Sequence, residues 1–144
     1  MDESGVQKEM NRTHGRAKRG VKIYQETSGK RVKKDNVIAG YLNGLILGLC
    51  IFSWTTNSEW FCLWFEYTLI PLLKPGSVIV NASFHRKTYL PIIAEAYGIK
   101  ILWLPKYSPD MNPIEHVWAN MKSWLRNYSK NYDSIRSAIH HHFQ

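Results

Sequence analysis

At 144 residues the chain suits one globular domain with a real core. Its 44% apolar content, with six tryptophans, eight tyrosines and five phenylalanines, excludes a disordered polymer. Asn43, Asn57, Glu59 and Glu66 break the longest apolar runs short of membrane-spanning length, and the net charge of +8 points toward acidic partners.

That charge is uneven. Residues 1–36 carry ten of the nineteen Lys and Arg, and residues 37–73 carry none. Residues 5–31 read as a loop-rich basic entry, with a short strand around 21–26. It holds Arg16, Lys18 and Arg19 in one run, and Lys30, Arg31, Lys33 and Lys34 in another. A basic lobe beside a neutral core is the footprint of a phosphate-backbone binder, although a charge run alone is usually a solvated surface. The first residues are acidic and mixed, so no secretory leader is expected. Cys50 and Cys62 have no ligand spacing around them and read as reduced, buried thiols of a cytoplasmic protein.

Residues 35–43 and 45–54 form a strand pair turning at Asn43-Gly44. Ser58 is placed to cap a helix over 59–73, ended by Lys74-Pro75-Gly76. A short buried strand follows at 78–80, then an amphipathic helix over 85–97 stopped at Gly98. A second buried strand at 99–104 ends at Pro105. Asn112 caps a helix to about 128, and Asp133 caps a last one to about 142. There is no internal repeat or low-complexity tract. The helix–strand alternation predicts one mixed α/β domain over 1–144.

The densest information lies in Tyr107-Ser108-Pro109-Asp110-Met111-Asn112-Pro113-Ile114-Glu115-His116-Val117-Trp118. Pro109 and Asp110 favour a turn, Asn112 is a strong N-cap, and Pro113 is suited to the first helical position. Ile114, Val117, Trp118, Met121, Trp124 and Leu125 follow at helical spacing. Glu115 therefore sits at the positive end of a helix leaving a rigid loop, where an ionised carboxylate can serve as a metal ligand. Asn-x-x-Glu is equally the pattern of a capping box, whose glutamate merely satisfies a backbone N–H.

This block resembles the third catalytic motif of the mariner-type bacterial insertion-sequence transposases, in the DDE endonuclease superfamily. Two further blocks fall in that family's order. Met1-Asp2-Glu3-Ser4-Gly5 resembles the first motif, whose aspartate ends the first strand and binds metal. Asn81-Ala82-Ser83-Phe84-His85-Arg86-Lys87 resembles the second, which reads Asp-Asn-x-x-x-His. Gly15 to Gly20 resembles the basic loop after the first aspartate. The resemblance implies a ribonuclease-H-like α/β fold, with Asp2 and Glu115 as catalytic carboxylates holding Mg2+ or Mn2+. It also implies a nucleoid-associated protein acting on DNA, with no membrane role, associating as a homo-oligomer or with a full-length transposase.

The chain departs from that pattern twice. Val80 stands where the second aspartate should precede Asn81, and the run around it looks short by about two residues. Asn81 offers only a neutral amide, a weaker ligand for a hard cation. The first strand, central in this fold, survives only at its Asp2 end, and the family's helix-turn-helix region has no counterpart before it. A decayed remnant and the downstream half of a split reading frame both fit, and Val80 favours decay.

Other residues carry paired readings. His85 matches the second-motif histidine or simply starts a helix, while His116 and Asp110 either neighbour the site or face elsewhere. Lys106 and Lys122 either touch phosphate or lie on a solvated face. Trp103, Trp118 and Trp124 read as core, and His140 to His142 as a frayed helix end. Three functions follow: a transposase catalytic domain, inactive as it stands; a non-enzymatic remnant that binds DNA or interferes with an intact transposase; and, weakest, a different nuclease of the same fold.

Overall fold

A computed structural model describes residues 1–7, 19, 34–81, 89–105 and 108–144. Strands β1 (Asp2–Gln7), β2 (Lys34–Leu42) and β3 (Leu45–Phe52) form an antiparallel sheet in the order β1-β2-β3. Strands β4 (Val78–Asn81) and β5 (Lys100–Trp103) form a parallel pair. The β2–β3 hairpin turns at Asn43 and Gly44, at φ 49 and 87. Two successive positive φ values give the turn that follows the strands' own twist, as the Asn-Gly pair predicts.

The strand at Asp2–Gln7 corrects two expectations. Residues 5–7 belong to a strand instead of a loop, and Asp2 begins its strand instead of ending it. The sequence Asp-Glu-Ser-Gly-Val-Gln has little β preference of its own. Its pairing with β2, from Asp2 opposite Ala39 to Gln7 opposite Lys34, supplies the strand. The remainder of the basic entry, including the strand expected around 21–26, lies outside the described residues apart from Arg19.

Helices pack on each side. Helix α1 (Ser58–Trp64) continues through a π-helical turn at Phe65–Leu69 and a 3-10 turn at Ile70–Leu72. Pro71 lacks the N–H that a regular helix would use there, so the single helix expected over 59–73 changes form near its end. Its cap is Asn57 and not Ser58, because Asn57 Oδ1 accepts from the Trp60 N–H at 2.7 Å. Phe61, Trp64, Phe65 and Leu69 pack with Leu90 and Ala94 of α2 (Leu90–Ala96) against Met1, Ile38, Phe52 and Ile79. Trp64 also donates its indole N–H to the Gly48 carbonyl at 2.8 Å.

The opposite layer is built by α3 (Ile114–Tyr128) and α4 (Ile135–His142). Ile114, Trp118, Met121 and Leu125 line one stripe of α3 at helical spacing and pack on Val6, Val37 and Ala39. Ser134 caps α4 in place of Asp133, accepting from the Ser137 N–H at 3.1 Å. The helix runs through His142, with His140 and His141 exposed as expected and the rings of His141 and His142 packed against Trp124. Trp118 is buried as expected, while Trp103 and Trp124 are half-buried at the margins of the two layers. Cys50 and Cys62 are reduced cysteines, half-buried instead of buried. Among the described residues, no helix is long and apolar enough to cross a membrane.

Leu125 is fully buried, and Leu125→Ala should cost about 2–5 kcal/mol. Arg136 bonds Asp35 through Nη2 at 2.8 Å, but its side chain is 45% exposed. Arg136→Ala should therefore cost less than about 1 kcal/mol. Urea midpoints of the two variants should separate accordingly.

Candidate acidic site between the two sheets

The site follows from strand alternation. Along β1, Val6 belongs to the layer under α3, so Ser4 and Asp2 point to that side too. Met1 points the other way and is buried with Ile79 and Phe61. Glu115 lies in the first turn of α3, and α3 packs on β1. The two carboxyl groups meet there, near enough for a side-chain hydrogen bond when one of them is protonated.

Burial raises the Asp2 carboxyl from 3.8 to about 6, and the nearby Glu115 charge pushes in the same direction. On the other edge of β1, the Met1 N–H donates to the Val80 carbonyl at 2.9 Å. This bond brings β4 against the start of β1, with Val80 on the same face as Asp2. Ile79 and Asn81 share the opposite face, toward α1 and α2, so Asn81 is buried away from the carboxyl pair.

The helix start differs from its expected form. Pro113 has helical dihedrals of φ −58 and ψ −26, in keeping with its place at the first turn. No side chain caps the helix, and Asn112 is turned into the interior. Its Nδ2 finds no hydrogen-bond partner among the described residues. Glu115 is thus not half of a capping box with Asn112, and its carboxylate goes to Asp2 instead.

The other candidates divide. Asp110 is exposed on a 3-10 turn, Pro109–Met111, and His116 is exposed beside Glu115 on α3. Lys122 is half-buried, whereas Arg19 and Lys34 are exposed. His85, Arg16, Lys18, Lys30, Arg31, Lys33 and Lys106 lie outside the described residues. Sequence reasoning missed the contribution of Met1, whose main chain ties β4 to β1. An N-terminal methionine carries no local signal for such a bond.

A family model described as DDE superfamily endonuclease matches residues 1–137. No curated protein matches the chain.

The buried pair makes stability depend on pH. The folded chain holds the Asp2 proton more tightly than the unfolded one. Asp2 therefore lowers stability as pH rises from 3.8 to about 6, and the loss persists above that. The Met1 amino group works in the opposite sense. Burial lowers it from 8.0 to about 6, so stability recovers as pH rises across that window. A minimum is expected near pH 6. Asp2→Asn should abolish the falling limb and raise stability at neutral pH by up to about 3 kcal/mol. Urea midpoints of both chains at pH 4, 6 and 8 check this.

Proposed function

The chain belongs to the DDE superfamily endonucleases, and from that membership we propose a transposase-type catalytic domain that keeps two carboxylates of its acidic site and lacks a third. The meeting of Asp2 and Glu115 carries this reading, because their sequence separation gives no local reason for contact. The strand arrangement supports a ribonuclease-H-like plan. With β1 between β2 and β4, the sheets follow one another as β3-β2-β1 and β4-β5.

The family implies a divalent cation, Mg2+ or Mn2+, held by Asp2 and Glu115. When bound, such an ion polarises a phosphate and lowers the pKa of bound water. One Mg2+ needs only one or two carboxylates with waters, so the pair fits a single loosely held ion. It does not fit two ions about 3.5–4 Å apart, which call for a further bridging carboxylate. Among the described residues, no group of three His, Cys, Asp or Glu side chains could hold a metal. Val80 occupies the position on β4 from which a side chain faces the pair.

The chain's own residues then do limited work. Asp2 and Glu115 bring two carboxyl groups together as one acidic site. Arg16, Lys18, Arg19, Lys30, Arg31, Lys33, Lys34, Lys106 and Lys122 supply phosphate contacts along DNA. Intact relatives hydrolyse DNA at element ends and join it to a target. This chain is proposed to bind DNA, in the nucleoid, without completing that reaction. The apolar Val80 also favours the second reading, a non-enzymatic partner that associates with an intact transposase or with copies of itself.

Incubation with DNA and Mg2+ or Mn2+ should give no strand cleavage. Val80→Asp should bind Mn2+ at least about tenfold tighter, or about 1.4 kcal/mol, by calorimetry. Adding Glu115→Gln should cancel the gain. Glu115-dependent nicking by the unaltered chain would show that a third ligand comes from elsewhere. DNA binding itself should be independent of sequence and fall steeply with salt. Neutralising Lys30, Arg31, Lys33 and Lys34 should shrink the log–log salt slope by roughly one for each phosphate-binding side chain replaced.

A further inference from the structure

Helix α1, with its π-helical continuation, and helix α2 leave between them a groove of about 450 Å³. Each helix turns one apolar stripe inward, Phe61, Trp64 and Phe65 from the first and Leu90 and Ala94 from the second. The groove belongs to a second, outward set. Leu63 lines it from α1, and Tyr89 and Ile93 line it from the α2 side. Leu63 is 48% exposed and Tyr89 69%, while Tyr67 and Ile92 on the same two helices are 71% and 63% exposed. Large apolar side chains gathered on a surface mark a contact, where scattered ones do not.

Charge sets this groove apart from the rest of the chain. Glu59 and Glu66 both line it, two helical turns and so roughly 10 Å apart. The Tyr97 hydroxyl donates to Glu66 Oε1 at 3.3 Å, which holds that carboxylate between the two helices. With Glu95, the two helices carry three carboxylates and no Lys or Arg, in a chain whose net charge is +8. An anionic rim repels DNA and anionic lipid, the partners that the overall charge attracts.

We propose that this groove docks a cationic amphipathic helix of a partner protein, its apolar stripe set on Leu63, Tyr89 and Ile93 and its Lys or Arg side chains reaching Glu59 and Glu66. A furrow between two helices accepts a third by an apolar stripe whose anchors recur at i, i+3, i+4 and i+7. The two-turn spacing of Glu59 and Glu66 suits guest cations placed two turns apart on one edge of that stripe. The same charges disfavour a second copy seated face to face, because carboxylates would meet carboxylates. The inference uses neither Asp2 nor Glu115 and is independent of the nuclease reading.

The probe is a synthetic helix-forming peptide of Leu, Ala and Lys, with leucines at that spacing and lysines beside them, titrated into the isotope-labelled chain. Saturable binding is expected, weakening as salt rises, with amide shifts at Leu63, Tyr89 and Ile93. Glu59→Gln combined with Glu66→Gln should weaken binding about fivefold. Leu63→Ser should weaken it at least about tenfold. These side chains reach the surface, so melting temperatures should stay near that of the parent chain. A peptide with Glu in place of Lys should not bind the parent chain, and Glu59→Lys should gain affinity for it. Absence of binding at millimolar peptide, equal binding of the acidic peptide, affinity unchanged by the glutamate substitutions, or shifts confined to residues away from the groove would each overturn the proposal. So would a dimer whose interface already covers Leu63 and Ile93, because a second copy would then be the occupant.

Discussion

The first two residues of the chain form a wedge between the sheets, and the geometry of the site depends on its register. Asp2 is fixed opposite Ala39, while the Met1 N–H is fixed on the Val80 carbonyl. Side chains alternate along a strand, so this register decides two destinations together. Met1 goes into the apolar layer under α1 and α2, where it is 6% exposed, and Asp2 goes toward α3. A slip of one residue would bring the Met1 side chain to Glu115 and bury a carboxylate among Ile79, Phe61 and Leu90. Burying an unpaired charge there costs far more than one hydrophobic contact returns, so the apolar layer selects the register. The acidic site is in this sense a by-product of where methionine can be accommodated.

The site is also a place where the fold gives up stability. Desolvation is the largest influence on Asp2 and, with the Glu115 charge, outweighs a backbone hydrogen bond at Glu3, so the carboxyl is held in an environment that resists its ionisation. Around the same helix start, Asn112 Nδ2 and Trp118 Nε1 are buried without hydrogen-bond partners among the described residues. Each such group costs about 1–3 kcal/mol relative to a satisfied one. Their company with a close carboxyl pair is the pattern of a segment shaped for something other than its own stability. A cation would offset the carboxylate repulsion directly, and it would do nothing for the two buried donors.

Much of this architecture is legible from local patterns. The Asn43-Gly44 turn, the α3 stripe of Ile114, Trp118, Met121 and Leu125, and the strands after Gly76 and Gly98 all carry their own signals. The departures share a cause. Strand β1 exists because β2 pairs with it, and no local preference announces that. Two caps lie one residue from their expected places, at Asn57 instead of Ser58 and at Ser134 instead of Asp133. Neighbouring residues there are equally good acceptors, and only geometry chooses between them. Asn112 fits a cap by type, yet the following proline-led turn swings its side chain inward. For the site, neither spacing nor composition joins Asp2 to Glu115. The resemblance of their motifs suggests the pairing, and the packing of α3 on β1 accomplishes it.

Alternation also explains why the neighbouring amide cannot stand in for a carboxylate at Val80. Ile79 and Asn81 lie on the same face because they are two residues apart, and Ile79 is buried in the α1–α2 layer. Turning Asn81 toward Asp2 would turn Ile79 toward α3 as well and break that layer. Val78 and Val80 share the face of Asp2, and of the two Val80 is the nearer, its carbonyl bonded by the Met1 amino group. A change in the length of the preceding loop by an even number of residues would leave this parity untouched and alter only which residue arrives at the position. Among the described residues the acidic site holds two carboxylates, and on the proposed reading Val80 stands on the strand from which a third would come.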